Sequence, residues 1–360
     1  MIKKKISNLE LATLTYFIIR SFLVGVTFNS LISSMKQNSW MTPLICIIPG
    51  IIYILATIFI MNYRPNLNIN EKLDKLFPKT ISHFFIIIIS IILLFACTLN
   101  FLNLNNFIQS QFLSRTPILI ISIILSIAAL YVVFKGLNTI SRTSNILFYI
   151  SIIFFFTTIF GLISKSRIFN IMPLFNIKTN NYLEGINTFY AFHICPIFIL
   201  TIIPKNKLQN GKIKKVVILA FLIAIISISL SIFITIAAFG YKLALLYEYP
   251  LFHILKHISI TGFAARIESI LVMQLIFDFF ICHTLLIYFI STNIKHLTRT
   301  KSNNIWYIII STIIIIGTFL FSKYSIYLDE FLKLIIPLFT SILATIIVAL
   351  ICIKIKMSKS

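Results

Sequence analysis

The chain has 360 residues, of which 59% are hydrophobic and only 11% are charged, and its formal net charge is +22. Because soluble domains carry about 25% charged residues, this composition excludes a soluble protein and indicates an integral membrane protein of the all-α class. The positive charge does not indicate nucleic-acid binding, since the basic residues are spread over short segments between apolar stretches without forming a basic domain.

A membrane-spanning helix needs roughly 20 predominantly apolar residues. Ten stretches meet this requirement, at about residues 9–31, 40–63, 81–107, 117–134, 143–164, 185–204, 214–240, 267–292, 305–322 and 331–353. We number them spans 1 to 10 and expect them to form one transmembrane domain over residues 1–360. Pro49 and Pro196 lie inside spans 2 and 6, where the missing N–H group is expected to kink the helix.

Span 1 carries a charged residue near its middle. A guanidinium at the centre of a bilayer costs between roughly 3 and 17 kcal/mol, so Arg20 is expected to face the protein interior or a wet cavity. Gly25 follows, and Thr27 and Asn29 can hydrogen-bond backbone that has left the helix. A spanning helix is interrupted only where it lines a cavity or is buried in protein. Span 1 is therefore predicted to be a broken helix at a binding site.

Ten spans divide into two halves of five, and an odd number of spans makes the second half enter the membrane from the opposite side, as inverted-topology repeats require. The first span of each half contains a predicted break, at Arg20–Gly25 in span 1 and at Tyr190–Pro196 in span 6. Interruptions at matching positions indicate a substrate site at mid-membrane. Lys and Arg are about twice as frequent on the side of the two termini, which places both termini in the cytoplasm.

Catalytic and metal-binding motifs do not occur in the sequence. Five cysteines fall in five different spans: Cys46, Cys97, Cys195, Cys282 and Cys352. Without CxxC or Cys/His spacing they are expected to be apolar packing residues. His253 and His257 stand at i and i+4 of a short helix predicted in the outer loop 242–266, but no third metal ligand lies near them in sequence. We expect no enzyme activity, no metal and no cofactor.

Three further polar residues are predicted at membrane depth. Asp278 lies near the middle of span 8, so it is expected to pair with Arg20, either within a binding site or as a structural salt bridge. Asn103 lies on the same face of span 3 as Asn100 and either lines a path or ends a helix. His193 lies in the predicted break of span 6, although a lone histidine is more often a packed core residue.

The predicted breaks favour a particular class of ligand. Half-helix N-termini carry free N–H groups and a partial positive charge, which suit a carboxylate. Arg20 would add a full positive charge. A small anionic or zwitterionic ligand such as an amino acid is therefore expected.

Several short motifs, each weak alone, occur in the order and spacing of one known family. They are Ile6–Glu10 before span 1, Leu113-Ser114-Arg115-Thr116-Pro117 before span 4, Lys135-Gly136-Leu137 with Ile140, Arg142 and Asn145-Ile146 at span 5, Pro173-Leu174, Tyr249-Pro250, and Ile258-Ser259 with Gly262-Phe263 and Arg266-Ile267-Glu268. With these motifs the whole chain resembles the B subunit of spore nutrient germinant receptors, a permease-like family of endospore formers. Ser114 stands where the family has proline, and Glu10 stands where it has glutamine.

The resemblance implies the fold of amino acid–polyamine–organocation permeases, in which spans 1 and 6 unwind around the ligand. It also implies a subunit that senses a small nutrient in the spore inner membrane and signals to an A subunit and a lipoprotein C subunit. The implied pocket combines the broken segments with spans 3 and 8, and its residues are Arg20, Ser21, Gly25, Phe28, Asn103, Tyr190, His193, Cys195 and Asp278. An Arg20–Asp278 pair would stand where sodium-coupled relatives bind an ion, which implies sodium-independent binding.

Three other functions are weighed against this hypothesis. A secondary amino-acid transporter shares all the features of the spans and is disfavoured only by the loop motifs. A ligand-gated pore for ions or small molecules needs polar residues along spans 3 and 8 to both faces, and the isoleucine-rich ends of span 8 disfavour it. An intramembrane enzyme lacks any catalytic constellation. The germinant-receptor subunit is therefore the favoured hypothesis.

Overall fold

The structure is a computed structural model and describes residues 5–23, 26–163, 166–175, 179–209, 211–256, 267–330 and 335–358. Fourteen α-helices make up most of these residues, and the β pairing found among them is a single bridge between Ile6 and Leu208. The helices are α1 Asn8–Arg20, α2 Val26–Met35, α3 Met41–Ile45, α4 Ile47–Asn62, α5 Ile69–Leu76, α6 Lys79–Gln111, α7 Ile118–Phe134, α8 Leu137–Ile163, α9 Thr179–Phe189, α10 Ile213–Ala244, α11 Pro250–Lys256, α12 Ile267–Thr298, α13 Asn304–Glu330 and α14 Ile336–Met357.

Seven segments of the described chain are long and apolar enough to cross a membrane. They are α6, α8, α10, α12, α13, α14 and the segment Asn181–Ile202, which contains most of α9 and the irregular turns after it. α4 and α7 are shorter apolar helices, and the first span is divided between α1 and α2. The predicted all-α, membrane-spanning fold is confirmed, while the inverted relation of its two halves stays a prediction.

The first span is interrupted immediately after Arg20. α1 begins at a capping box and ends in a turn where the Leu23 N–H donates to the Arg20 carbonyl at 3.0 Å. α2 then begins at Val26. Gly25, the last residue of the predicted break, lies outside the described residues. The position of the break confirms the prediction for span 1.

The sixth span loses regular α-helical geometry at the predicted place. α9 ends at Phe189 and is followed by a π-helix over Tyr190–Ile194 and a 3-10 helix over Cys195–Ile202. Pro196 lacks an N–H group, and its ring excludes the carbonyl four residues earlier, so the α-helical hydrogen-bond pattern cannot continue through it. π-helical turns occur frequently at functional sites.

The second span is bent as well. α3 ends at Ile45, because Pro49 has no N–H group to bond the Ile45 carbonyl four residues earlier. Beyond the bend α4 approaches α10 closely: a Cβ atom at Gly50 would overlap the Phe221 ring and lie 3.2 Å from Ile194 Cδ1. Because Gly50 has no side chain, α4 can pack directly against α10 and the irregular part of span 6.

α1 is enclosed by other helices. It packs against α8, α10 and α12, and every residue from Thr13 to Arg20 is buried. A cation at its C-terminal end therefore has no access to water and needs partners within the protein.

Loop contacts hold together the face of the bundle at which α1 begins, which we call the N-terminal face. The Ile6 N–H donates to the Lys207 carbonyl and the Gln209 N–H donates to the Ile6 carbonyl, each at 2.9 Å. The Asn206 N–H donates to the Pro65 carbonyl at 3.1 Å. The segment before span 1 and the loops after spans 2 and 6 therefore share this face.

The short helix α5 lies on the N-terminal face, where sequence analysis placed only a loop. The missed signal is the capping box that Asn68 and Glu71 form at its start. Buried hydrogen bonds of 2.9 Å run from Asn70 Nδ2 to Asn293 Oδ1 and from Asn293 Nδ2 to Ser90 Oγ. α5 is thereby fixed to α12 and α6.

Lys72 on α5 is fully buried, and its ammonium group donates hydrogen bonds of 3.0 Å to the Ile60 and Met61 carbonyls at the end of α4. Burial lowers the pKa of Lys72 from 10.5 to about 8. Lys72→Met removes both bonds and is expected to lower the free energy of unfolding by about 1–3 kcal/mol.

The same substitution has an expected pH dependence. The lowered pKa means that the unfolded chain binds more protons at Lys72 than the folded one between pH 8 and 10.5. The contribution of Lys72 to stability therefore rises with pH in that range and is smallest below pH 8. Thermal unfolding at about pH 7.5 and about pH 9.5 should show a wild-type advantage over Lys72→Met that widens at the higher pH. An advantage that narrows at the higher pH would contradict the lowered pKa of Lys72.

Candidate ligand site

Arg20 at the end of α1 is paired with Asp278 of α12, as predicted. Its Nε donates to Asp278 Oδ2 at 3.0 Å, and both side chains are only 2% exposed. Its Nη1 donates to Ser227 Oγ on α10 at 2.7 Å. The rings of Tyr16 and Phe155 each lie 5.4 Å from the guanidinium carbon. Three helices and two aromatic rings thus meet at one cation.

The two buried side chains carry opposite charges, and each charge compensates the other. An isolated charge in a protein interior is strongly disfavoured, so removing either partner would leave the other uncompensated. Arg20 also lies at the C-terminal end of α1, where the helix dipole favours a cation. One acceptor stays open, because Asp278 Oδ1 is buried and has no hydrogen-bond partner among the described residues.

His193 connects the two broken spans. Its Nδ1 lies 2.6 Å from the Ile19 carbonyl oxygen, which has lost its helical partner because the Leu23 N–H donates to the next carbonyl instead. The Ile19 carbonyl can only accept, so Nδ1 carries the proton and Nε2 is an acceptor. Nε2 is buried and without a partner in the described part of the chain, and the ring stacks on Phe189 with centroids 4.4 Å apart.

Aromatic contacts complete the junction of the two breaks. Phe22 of the first break stacks on Phe192 of the second with ring centroids 6.0 Å apart. Tyr53 of α4 donates its hydroxyl to the Cys195 carbonyl at 3.2 Å and meets the Tyr190 ring edge-on at 5.9 Å. A side chain of α4 therefore supplies hydrogen bonding to the irregular backbone of span 6.

A second buried histidine lies on α12, just over one helical turn beyond Asp278. His283 Nδ1 lies 3.2 Å from Cys97 Sγ of α6, and the ring stacks on Phe101 and Phe279 with centroids 4.7 and 4.8 Å away. His283 Nε2 is buried and makes no hydrogen bond to the described residues. The contact between Cys97 and His283 is not predictable from the sequence alone.

Of the four remaining predicted site residues, the structure describes three. Ser21 is buried and donates to the Ile18 carbonyl at 3.1 Å. Phe28 is buried on α2 and lines a cavity of about 30 Å³ beneath α11. Asn103 is half-buried on α6, with no side-chain hydrogen bond to the residues that the structure describes. Gly25 lies outside those residues.

An apolar cavity of about 50 Å³ adjoins the second break. Tyr53, Ala191, Cys195 and Pro196 line it from the side of the break, and apolar side chains of α6 and α14 line it from the other side. Its lining suits a small apolar group.

Two contacts of the site were not anticipated from sequence. Ser227 precedes Ser231 by one helical turn in the isoleucine-rich span 7, and such a polar stripe is the signal that could have found it. Tyr53 carries no comparable signal, because a tyrosine inside span 2 is equally well explained as a packing residue.

Fold and site together define a permease-like membrane protein, in which the first and sixth spans break at one buried polar junction. The chain belongs to the spore germination protein family of spore permeases, whose family model matches residues 11–326. It is 24% identical over 247 residues to YfkT of Bacillus subtilis (strain 168), which is described as a spore germination protein. The match covers 67% of this chain and 66% of YfkT. The predicted family is confirmed.

Solved structures of a manganese transporter from Eremococcus coleocola share the fold. Two of its mutants match with a TM-score of 0.62 and 10% identity, and its complex with an aromatic bis-isothiourea substituted compound matches with 0.61 and 11%; each covers 96% of this chain and 77% of the transporter. At this identity the likeness shows the fold alone. Within the described residues no group of three or more His, Cys, Asp or Glu could hold a metal ion, and His257 of the sequence-predicted pair lies outside them.

Proposed function

We propose that the chain is the nutrient-binding membrane subunit of a spore germinant receptor, and that its ligand is a small amino acid held where the first and sixth spans break. The observation that carries this proposal is the contact of His193 with the Ile19 carbonyl, which joins the two breaks and leaves a buried, open acceptor beside them. Membership of the spore germination protein family supports the role in germination.

The open polar groups at the junction suit a zwitterion. His193 Nε2 and Asp278 Oδ1 are buried acceptors without partners among the described residues, and an ammonium group supplies only donors. α2 begins at Val26, and the first turn of a helix presents free N–H groups and partial positive charge to a carboxylate. Arg20 is engaged by its ion pair, so in this arrangement it organises the site and does not bind the carboxylate directly.

The apolar cavity beside the second break supports a short apolar side chain on the ligand. Its lining is almost entirely apolar, and it reaches Cys195 and Ala191 of the irregular segment. A ligand whose charged groups lie at the breaks would direct its side chain toward this space.

The proposed signal is a shift between two conformations. A ligand moves such an equilibrium only if it binds one conformation better than the other. Groups that bond His193 and Asp278 act on α1, span 6 and α12 together, because these elements already meet at Arg20 and Ile19. We propose that this movement passes to A and C subunits. The excess of Lys and Arg near the termini supports a cytoplasmic N-terminal face.

A secondary amino-acid transporter is the second candidate function. The likeness to a solved transporter fold favours it. The same junction would then release its ligand on the opposite side of the membrane.

Germination of spores that lack the chain separates the two candidates. The spores are exposed to a panel of single amino acids, and uptake of each amino acid is measured in parallel. A receptor subunit predicts loss of the germination response to one nutrient while its uptake is normal. Unchanged germination with reduced uptake of one amino acid would contradict the receptor and support the transporter.

Ligand binding is expected to be independent of sodium, because the guanidinium of Arg20 already neutralises the carboxylate of Asp278 that a sodium ion would need. Equilibrium binding of the identified nutrient to the purified protein, in sodium chloride and in choline chloride, measures this. The two dissociation constants should agree within about twofold. Clearly tighter binding in sodium would contradict the expectation.

A further inference from the structure

A polar cavity lies on the N-terminal face. It has a volume of about 470 Å³ and is lined by α5, the start of α6, the end of α12 and residues of the segment that follows α12. This volume falls within the roughly 300–1,000 Å³ of small-molecule sites. Lys295 in its wall is 17 residues beyond Asp278 on α12, which is roughly 25 Å along a helix. The cavity is therefore separate from the ligand site described above.

The acidic residues in the wall are already engaged by other protein groups. Asp74 accepts hydrogen bonds on both oxygens, from Ser82 on Oδ1 and from His296 Nε2 on Oδ2 at 2.7 Å. Glu71 accepts the Asn68 N–H at 2.9 Å as part of the α5 capping box. Both carboxylates keep their negative charge, so the wall carries three cations, Lys79, Lys295 and Arg299, against two anions.

The cations in the wall lack such partners. Lys79, Lys295 and Arg299 line the cavity and make no ion pair or side-chain hydrogen bond with the described residues. α6 begins at Lys79 without a side-chain cap, so the free N–H groups and positive dipole end of a 33-residue helix also lie at the cavity. Three cations and a helix N-terminus thus line one cavity.

We propose that this cavity binds a phosphate-bearing anion, either a free phosphate compound or the headgroup of an anionic phospholipid. The guanidinium of Arg299 can bond two phosphate oxygens at once, and the two lysines can each contribute a charge. The N–H groups at the start of α6 provide the backbone contacts that such anions commonly use. The occupant would connect α5 and α6 with α12.

The test compares two double variants with equal loss of charge. Lys295→Gln/Arg299→Gln removes two cations of the cavity, and Lys354→Gln/Lys356→Gln removes two cations from the last turn of α14, outside the cavity lining. All four side chains are exposed or half-exposed, so both variants are expected to fold. A third variant, Lys79→Gln, tests the contribution of the third cation separately.

Purified full-length protein in neutral detergent is titrated with sodium phosphate at constant ionic strength, and Tm is recorded. We expect Tm of the wild type and of Lys354→Gln/Lys356→Gln to rise saturably with the same midpoint. Lys295→Gln/Arg299→Gln should raise that midpoint at least about tenfold. An equal rise of the midpoint in both double variants would overturn the proposal, since general electrostatics would then explain the effect.

Retention of phosphatidylglycerol, measured by native mass spectrometry, distinguishes the two sources of phosphate. A lipid occupant predicts one phosphatidylglycerol retained by the wild type and lost from Lys295→Gln/Arg299→Gln. A free occupant predicts the saturable Tm response without selective lipid retention. If neither phosphate nor phosphatidylglycerol binding depends on these two residues, the proposal is wrong.

Discussion

Asp278→Ala is expected to lower the free energy of unfolding by about 3–5 kcal/mol, as removal of one partner of a buried ion pair does. The substitution leaves the Arg20 guanidinium 2% exposed and without its counter-ion. Ser227 and two aromatic rings would still contact it, but none of them carries a compensating charge. Reversible unfolding in mixed micelles with increasing denaturant measures the change.

Two companion variants make this result interpretable. Arg20→Met/Asp278→Leu removes both charges and is expected to be far closer to the wild type than Asp278→Ala, because apolar residues of similar volume can replace a buried pair at little cost. Asp74→Ala removes a carboxylate from the partly exposed pair with His296 and should cost only about 1 kcal/mol or less. An Asp278→Ala effect as small as that of Asp74→Ala would contradict a buried, dry ion pair.

His193→Phe is expected to raise the nutrient concentration for half-maximal germination at least about tenfold, because one hydrogen bond to a charged ligand group contributes about 1.5–3 kcal/mol. The phenyl ring can keep the stack on Phe189. It removes Nδ1, which bonds the Ile19 carbonyl, and Nε2, the open acceptor. Dose–response curves of spore germination, at equal protein level, measure the shift.

The matched control is His253→Phe. His253 also stacks on an aromatic ring, that of Tyr247 at 4.5 Å, but it lies on α11 outside the two breaks. Its substitution should leave the half-maximal concentration within about twofold of the wild type. Equal shifts for the two variants, or no shift for His193→Phe, would contradict a role of His193 in ligand binding.

The broken spans could be predicted because local chemistry produces each of them. A charged residue inside an apolar span, Arg20, marks the end of α1, and a proline without a donor, Pro196, marks the irregular part of span 6. The ion pair followed from the same reasoning, since a buried Arg20 needs a carboxylate and Asp278 lies nearest the middle of a span. These features depend on residue type and depth alone.

The finer contacts depend on how helices pack, which a single sequence does not reveal. The Cys97–His283 contact joins residues 186 positions apart, and it requires a particular register of α6 against α12. The Ser227 bond to Arg20 likewise depends on the rotation of α10 about its axis. α5 was not predicted for another reason. Its eight residues are too few and too polar to resemble a membrane span, and the capping box at its start is the sequence signal that indicates a helix.

The most direct test of the ligand site is protection of Cys195 by the nutrient. In a variant that retains Cys195 as its single cysteine, modification by a membrane-permeant maleimide is timed with and without a saturating concentration of the nutrient. Cys195 lies in the second break, so bound ligand is predicted to slow its modification several-fold. A variant that retains only Cys352, which is half-buried on α14 and contacts the Ala56 carbonyl, should react at the same rate with and without nutrient. Equal rates at Cys195 in the two conditions would contradict a ligand bound between the broken spans.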